Sequence, residues 1–246
     1  MNTNQGASSK SEMIAHGITD AMLTRIADAA LGDLIFQLKA AGFDVVSIDA
    51  AKAAEGADKL GFNSPPYSAT GNDILVVGPT PTGVRNNTPL GKTEFGSFGA
   101  PVLSVSLESM VVMPNLAFDF GWASGNRSWG FTATSQTGVR FGINTAHSRM
   151  RVFASKRRQF LEGDFIFSPD GEPVSDAPFA SIGDTVNTDN SDFQRMNASL
   201  GLAVQARSKE TSYLAIDQRR YEALALSAAR GWNTAFVNAL RARTGR

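Results

Sequence analysis

The stretch LAFDFGWASGNRSWGFTATSQTGVRFGI, residues 116–143, constrains the fold more than any other part of the chain. Large apolar side chains fall on every second residue. Leu116, Phe118, Phe120 and Trp122 come first, then Trp129 and Phe131, then Val139, Phe141 and Ile143. The residues between are small or polar, among them Ala117, Asp119, Gly121, Gly130, Thr132, Arg140 and Gly142. A period of two predicts strands, because successive side chains leave a strand on opposite faces. The segment reads as an extended amphipathic hairpin with GNRS, 125–128, at its turn. Its apolar face has three candidate partners: the chain's own core, a neighbouring subunit, or lipid.

The lipid reading has a physical basis. Membrane-spanning strands run about 9–11 residues, alternate apolar-out and polar-in, and carry aromatics at the interfaces. Here the second face is Gly, Thr, Ser and Asn, which suits a water-filled lumen. Two or three such strands cannot close a barrel, but an oligomer could close one if each subunit lends a hairpin.

The flanking sequence predicts an α+β fold. Residues 1–15 read as a polar, flexible leader, and 16–246 as a single domain. A helix capped by Thr19 or Asp20 carries Met22, Leu23, Ile26, Ala30, Leu34, Ile35 and Leu38 at helical spacing and stops at Gly42. FDVVSI, 43–48, reads as a short strand. AAKAAEGADKL reads as a second helix capped by Asp49, completing a helix–strand–helix unit. DILVVG, 73–78, reads as a strand buried on both faces. A β-rich antiparallel section over 102–167 follows, with VLSVSLESMVVM as the strand before the hairpin and SRMRVFAS after it, Met150 and Val152 pointing inward. Residues 168–192 read as a loop, and DFQRMNASLGLAVQARS fits helix or strand. A long closing helix carries Tyr221, Leu224, Ala225, Ala228, Trp232, Phe236 and Leu240 as one apolar stripe.

Composition narrows the function. Lys plus Arg equals Asp plus Glu at 23 each, so the formal net charge is zero and a nucleic-acid partner is not expected. Without cysteine there are no disulfides, thiolate nucleophiles or cysteine zinc sites. The N-terminus has no apolar signal region, which fits either an intracellular protein or a mature or trimmed chain.

The motifs that could carry chemistry are weak. Gly91-Lys92-Thr93 resembles the end of a phosphate-binding loop, but Asn86 stands where that loop needs glycine. The two histidines, His16 and His147, have no ligand at i+3 or i+4, and no G-x-S-x-G elbow exists for a triad. Glu162 and Asp164 flank a glycine as two solvated acids would. No catalytic, cofactor-binding or metal-ligating residue is assigned, and no cofactor is expected. Arg149, Arg151, Lys156, Arg157 and Arg158 form a basic cluster suited to a solvated sheet face, an acidic partner or anionic lipid head groups.

In the order of its elements the chain resembles the curli secretion channel lipoprotein and its holdfast-attachment relatives of the bacterial outer membrane. DAMLTRIADAALGDLIFQLKAAGFDVVSID resembles their opening unit, VLSVSLESMVVM the strand into a membrane hairpin, and 116–143 that hairpin. SRMRVFAS resembles the return strand, and 213–241 the closing helix. The chain lacks the lipobox cysteine of the family, and a second hairpin would have to fall within 159–186, where alternation is weak.

Two functions follow as expectations. The first is a non-enzymatic envelope protein of the periplasm or outer membrane, a homo-oligomeric ring or channel-like component. Leu116, Phe118, Phe120, Trp122, Trp129, Phe131, Val139 and Phe141 would contact membrane or subunit, with other envelope proteins as further partners. The alternative is a soluble α+β enzyme or ligand-binding domain, cytoplasmic, with its site near the long loop 79–101.

Overall fold

The computed structural model describes residues 6–60, 68–71, 74–81, 99–125, 127–128, 135–145, 148–156, 159–160, 165–167, 174–175, 179–189 and 205–245. The helices are α1 (Asp20–Ala40), α2 (Ile48–Ala53), α3 (Ala57–Leu60), α4 (Gly99–Ser106) and α5 (Gln218–Thr244). The first strands are β1 (Gly6–His16), β2 (Ser68–Gly71), β3 (Ile74–Val77), β4 (Val111–Asn115), β5 (Phe118–Gly125), β6 (Arg127–Ser128) and β7 (Ser135–Ile143). Then come β8 (Arg149–Phe153), β9 (Ser155–Lys156), β10 (Gln159–Phe160), β11 (Phe165–Phe167), β12 (Val174–Ser175), β13 (Ala180–Asp189) and β14 (Gln205–Ile216). The architecture is α+β, with an N-terminal helix, sheets through the middle and a long closing helix.

Where one domain was expected over 16–246, the chain divides into two compact units. The first comprises Met1–Ile18, Asp119–Gly142 and Val174–Tyr221. It holds a four-stranded sheet in the order β13-β14-β1-β6 and a three-stranded sheet in the order β12-β7-β5. Gly6–His16, of which 6–15 were expected in the flexible leader, pairs in parallel with β14 along its whole length, from Gly6 opposite Gln205 to His16 opposite Ala215. β13 pairs with the other side of β14 in antiparallel fashion, inside a segment that reads as a loop. Both corrections have one cause. A ladder is made by backbone N–H and C=O groups, so a polar strand joins it without leaving an apolar signal in the sequence. Leu214, fully buried, and Ser212, 1% exposed, mark the inner face of β14.

The second unit comprises Thr19–Phe118, Ile143–Pro173 and Glu222–Arg246. Its core joins α1, β8 and α5: Leu34, Leu38, Met150, Val152, Trp232, Phe236, Val237 and Leu240 pack with Ile143. The α1 boundaries follow their caps. The Thr19 hydroxyl accepts from the Met22 N–H at 3.2 Å, a cap of about 1 kcal/mol. At the other end Gly42 takes φ +84°, and the Phe43 N–H reaches back to the Leu38 carbonyl at 3.0 Å, a Schellman stop. β8 lies between β4 and β11, antiparallel to both. Met150 and Val152 are buried as expected, alternating with the half-buried Arg149 and Arg151.

Four local expectations are corrected in this unit. Residues 43–47 join no ladder; Phe43 and Val45 pack against the core from an irregular segment. The second helix is capped by Ser47, not Asp49, and is broken at Gly56. Among the described residues β3 pairs with β2 alone, in antiparallel fashion, rather than lying within a larger sheet. VLSVSLESMVVM divides into α4 and β4. In the apolar run 100–107 both periods fit, and burial of Ala100 and Leu103 with Leu107 packed beside them selects the helical one. α4 ends in a second Schellman stop, where Glu108 takes φ +49° and the Ser109 N–H bonds the Ser104 carbonyl at 3.1 Å.

Candidate functional site: the hairpin and its roots

β5 and β7 are hydrogen-bonded neighbours, as the alternation predicts for the two arms of a hairpin. The expected GNRS turn is displaced: Arg127 and Ser128 form β6 and pair with Ser8 and Ala7 of β1.

In the second unit, the residues flanking the hairpin are tied together. The Asn144 N–H donates to the Ala117 carbonyl at 2.9 Å. The Ser148 hydroxyl accepts from the Ala117 N–H at 2.9 Å and lies 3.2 Å from the Ala117 carbonyl. Ser148 is 2% exposed, so these bonds are shielded from water. Leu116 and Phe118 are half-buried against the core cluster of this unit.

In the first unit, Phe141 is 2% exposed and sits edge-on to two rings, Phe179 at 5.9 Å and Tyr221 at 5.5 Å between centroids. Phe179 and Tyr221 themselves lie 5.7 Å apart. Such edge-to-face pairs add about 0.5–1.5 kcal/mol each beyond area burial. Burial pushes the Tyr221 phenol well above its usual range, and the Asp119 carboxylate on β5 adds to the shift. Asp217 caps the helix that carries Tyr221: its carboxylate accepts from the Arg220 N–H at 3.1 Å, and its own N–H donates to the Phe179 carbonyl at 2.7 Å.

The apolar set predicted to contact membrane or subunit therefore divides. Phe141 is corrected to a core residue, because it is 2% exposed and two aromatic rings, Phe179 and Tyr221, pack against it within its own unit. Leu116 and Phe118 also pack on the chain itself, and Val139 is half-buried. Phe120 and Trp122 stand on β5, with side chains outside the described set, and Trp129 and Phe131 lie outside the described residues. Ser148, Asn144, Phe179 and Asp119 were missed by sequence reasoning. Phe179 alone gave a signal, as a lone aromatic in a segment otherwise read as loop.

Of the basic cluster, Arg149 and Arg151 lie on β8, and the Arg151 guanidinium is 6.0 Å from the Phe153 ring centre. Lys156 is on β9; Arg157 and Arg158 lie outside the described residues, as do His147, Glu162, Asp164 and 82–98 of the loop 79–101. The described start of that loop is anchored on α1: the Thr80 N–H and hydroxyl donate to the Asp28 carboxylate at 2.6 and 2.9 Å. His16 stacks on Tyr213 at 5.6 Å. Among the described residues no three His, Asp or Glu are grouped to hold a metal ion, and no helix is long and apolar enough to cross a membrane.

Comparison with known proteins returned no relative. The chain matches no family model, no curated protein and no solved structure.

Proposed function

We propose that this chain is a non-enzymatic bacterial envelope protein that assembles as an oligomeric ring or channel-like component, with the 116–143 hairpin reaching a membrane or a neighbouring subunit. One observation carries the reading. The hairpin is rooted at Phe141 in one core and flanked by the Ala117–Ser148 lock and Leu116 in another, while in the sequence its alternation continues along β5 through Phe120 and Trp122. Alternating apolar residues with aromatics among them are the pattern of strands that face lipid or a neighbouring subunit. A periplasmic or outer-membrane location belongs to the same proposal, as does kinship with the curli channel and holdfast-attachment family, for which the first helix, the 116–143 hairpin, the return strand β8 and the closing helix speak, and against which the missing strand at 43–48 and the helix α4 stand.

Two substitutions separate root from arm. Phe141→Ala should cost stability, about 3–5 kcal/mol for a buried aromatic. Phe120→Asp should leave the circular-dichroism spectrum and unfolding midpoint near those of the wild type while lowering assembled mass or vesicle binding. A Phe120→Asp chain that unfolds as readily as Phe141→Ala places the arm in the core and refutes the proposal.

A further inference from the structure

The second unit carries charge of opposite sign on two separate exposed segments. On α5, Arg230 and Arg241 are eleven residues apart, which is three turns and about 16 Å along the axis, so they fall on one line of the helix. Both are exposed, and so are Ser227, Gly231, Thr234 and Asn238 beside them. A Cβ placed on Gly231 would meet nothing within 4 Å, so the ground around the arginines is low and open. The sequence holds no acid from Ala223 to the end of the helix. Among the described residues neither guanidinium has an ion-pair partner, whereas Arg25 at the other end of α1 is held by Glu222 at 3.0 Å.

The opposite charge lies on 44–58. Asp44, Asp49 and Asp58 are exposed there, with Lys52 as the one base of the segment. Val46, 36% exposed, stands between the first two acids and offers an apolar contact at the centre of the patch. These two segments of the second unit therefore carry opposite charge.

We propose that the arginine row of α5 docks on the 44–58 segment of a second copy of this chain. The two surfaces differ, so the contact is head-to-tail and repeats into a closed ring or an open filament. The inference rests on the oligomeric reading above and names a contact for it. Paired charge at such an interface steers encounter and fixes register, and salt screens it.

The test uses the full chain and light scattering after size exclusion. Assembled mass should fall as ionic strength rises from about 0.01 M to about 1 M, where the screening length shrinks from about 30 to about 3 Å. Arg230→Glu/Arg241→Glu and, separately, Asp44→Lys/Asp49→Lys should each weaken assembly by about tenfold or more. All four positions are exposed, and unchanged circular dichroism confirms that each variant folds. An equimolar mixture of the two variants should recover the wild-type mass, since each then offers the charge the other lacks. A wild-type oligomer indifferent to salt and to both variants overturns this contact and leaves the assembly proposal standing. Loss of assembly without recovery in the mixture overturns it as well. A wild-type chain that is monomeric throughout overturns both.

Discussion

Asn233 on α5 donates its Nδ2 to the Asp33 carboxylate of α1 at 2.8 Å and to the Ala30 carbonyl at 3.0 Å. Gln37 donates to the same Asp33 oxygen at 2.7 Å. Asn233 is 3% exposed, so its amide fixes the register of the two helices in a place where water cannot replace the lost bonds. Asn233→Leu should therefore lower stability by about 2 kcal/mol, read as a shift in the urea midpoint. Asn233→Asp should cost more at pH 7, because two carboxylates would then share one site.

Gly56 sits between α2 and α3 at φ +95°, and a Cβ there would lie 2.9 Å from both the Gly99 carbonyl oxygen and the Leu103 nitrogen. Both neighbours are backbone atoms of α4 and cannot swing aside. Gly56→Ala should lower stability by about 2 kcal/mol or more through strain and displacement of α4. Gly32→Ala is the control. Gly32 lies mid-helix with open space around it, so the same change should add about 0.5–1 kcal/mol.

Tyr221 makes stability depend on alkaline pH. Its folded-state pKa is raised, first by burial and then by Asp119, so the folded chain binds a proton that the unfolded chain releases near pH 10. Its contribution is complete below that pH and falls as pH rises above it. Tyr221→Phe should flatten this decline in unfolding midpoints measured from neutral to strongly alkaline pH. By phenolate absorbance, one of the three tyrosines should ionise only as the chain unfolds.

What the sequence revealed depended on how each element is stabilised. α1 was legible because a cap, a glycine stop and a stripe of buried residues all sit in the local text, α5 through its apolar stripe, and Met150 and Val152 through alternation. β1, β13 and β14 were not, because their ladders join backbone groups far apart in sequence and use polar side chains. The short apolar run of α4 was ambiguous by period, and its packing partner Phe153 is some fifty residues away. At the candidate site the hairpin arms could be read from 116–143. Its roots could not, since Ser148, Phe179 and Tyr221 meet the hairpin only in three dimensions.

The proposed assembly through the hairpin has a direct readout in mass. Its most direct test is the molar mass of the purified wild-type chain, by light scattering, with and without detergent. Assembly through the hairpin predicts a discrete oligomer several times the 26.2 kDa of one chain. It also predicts that Phe120→Asp reduces this mass with the fold retained. A monomer of unchanged mass in both conditions, up to the highest concentration that stays clear, would contradict it.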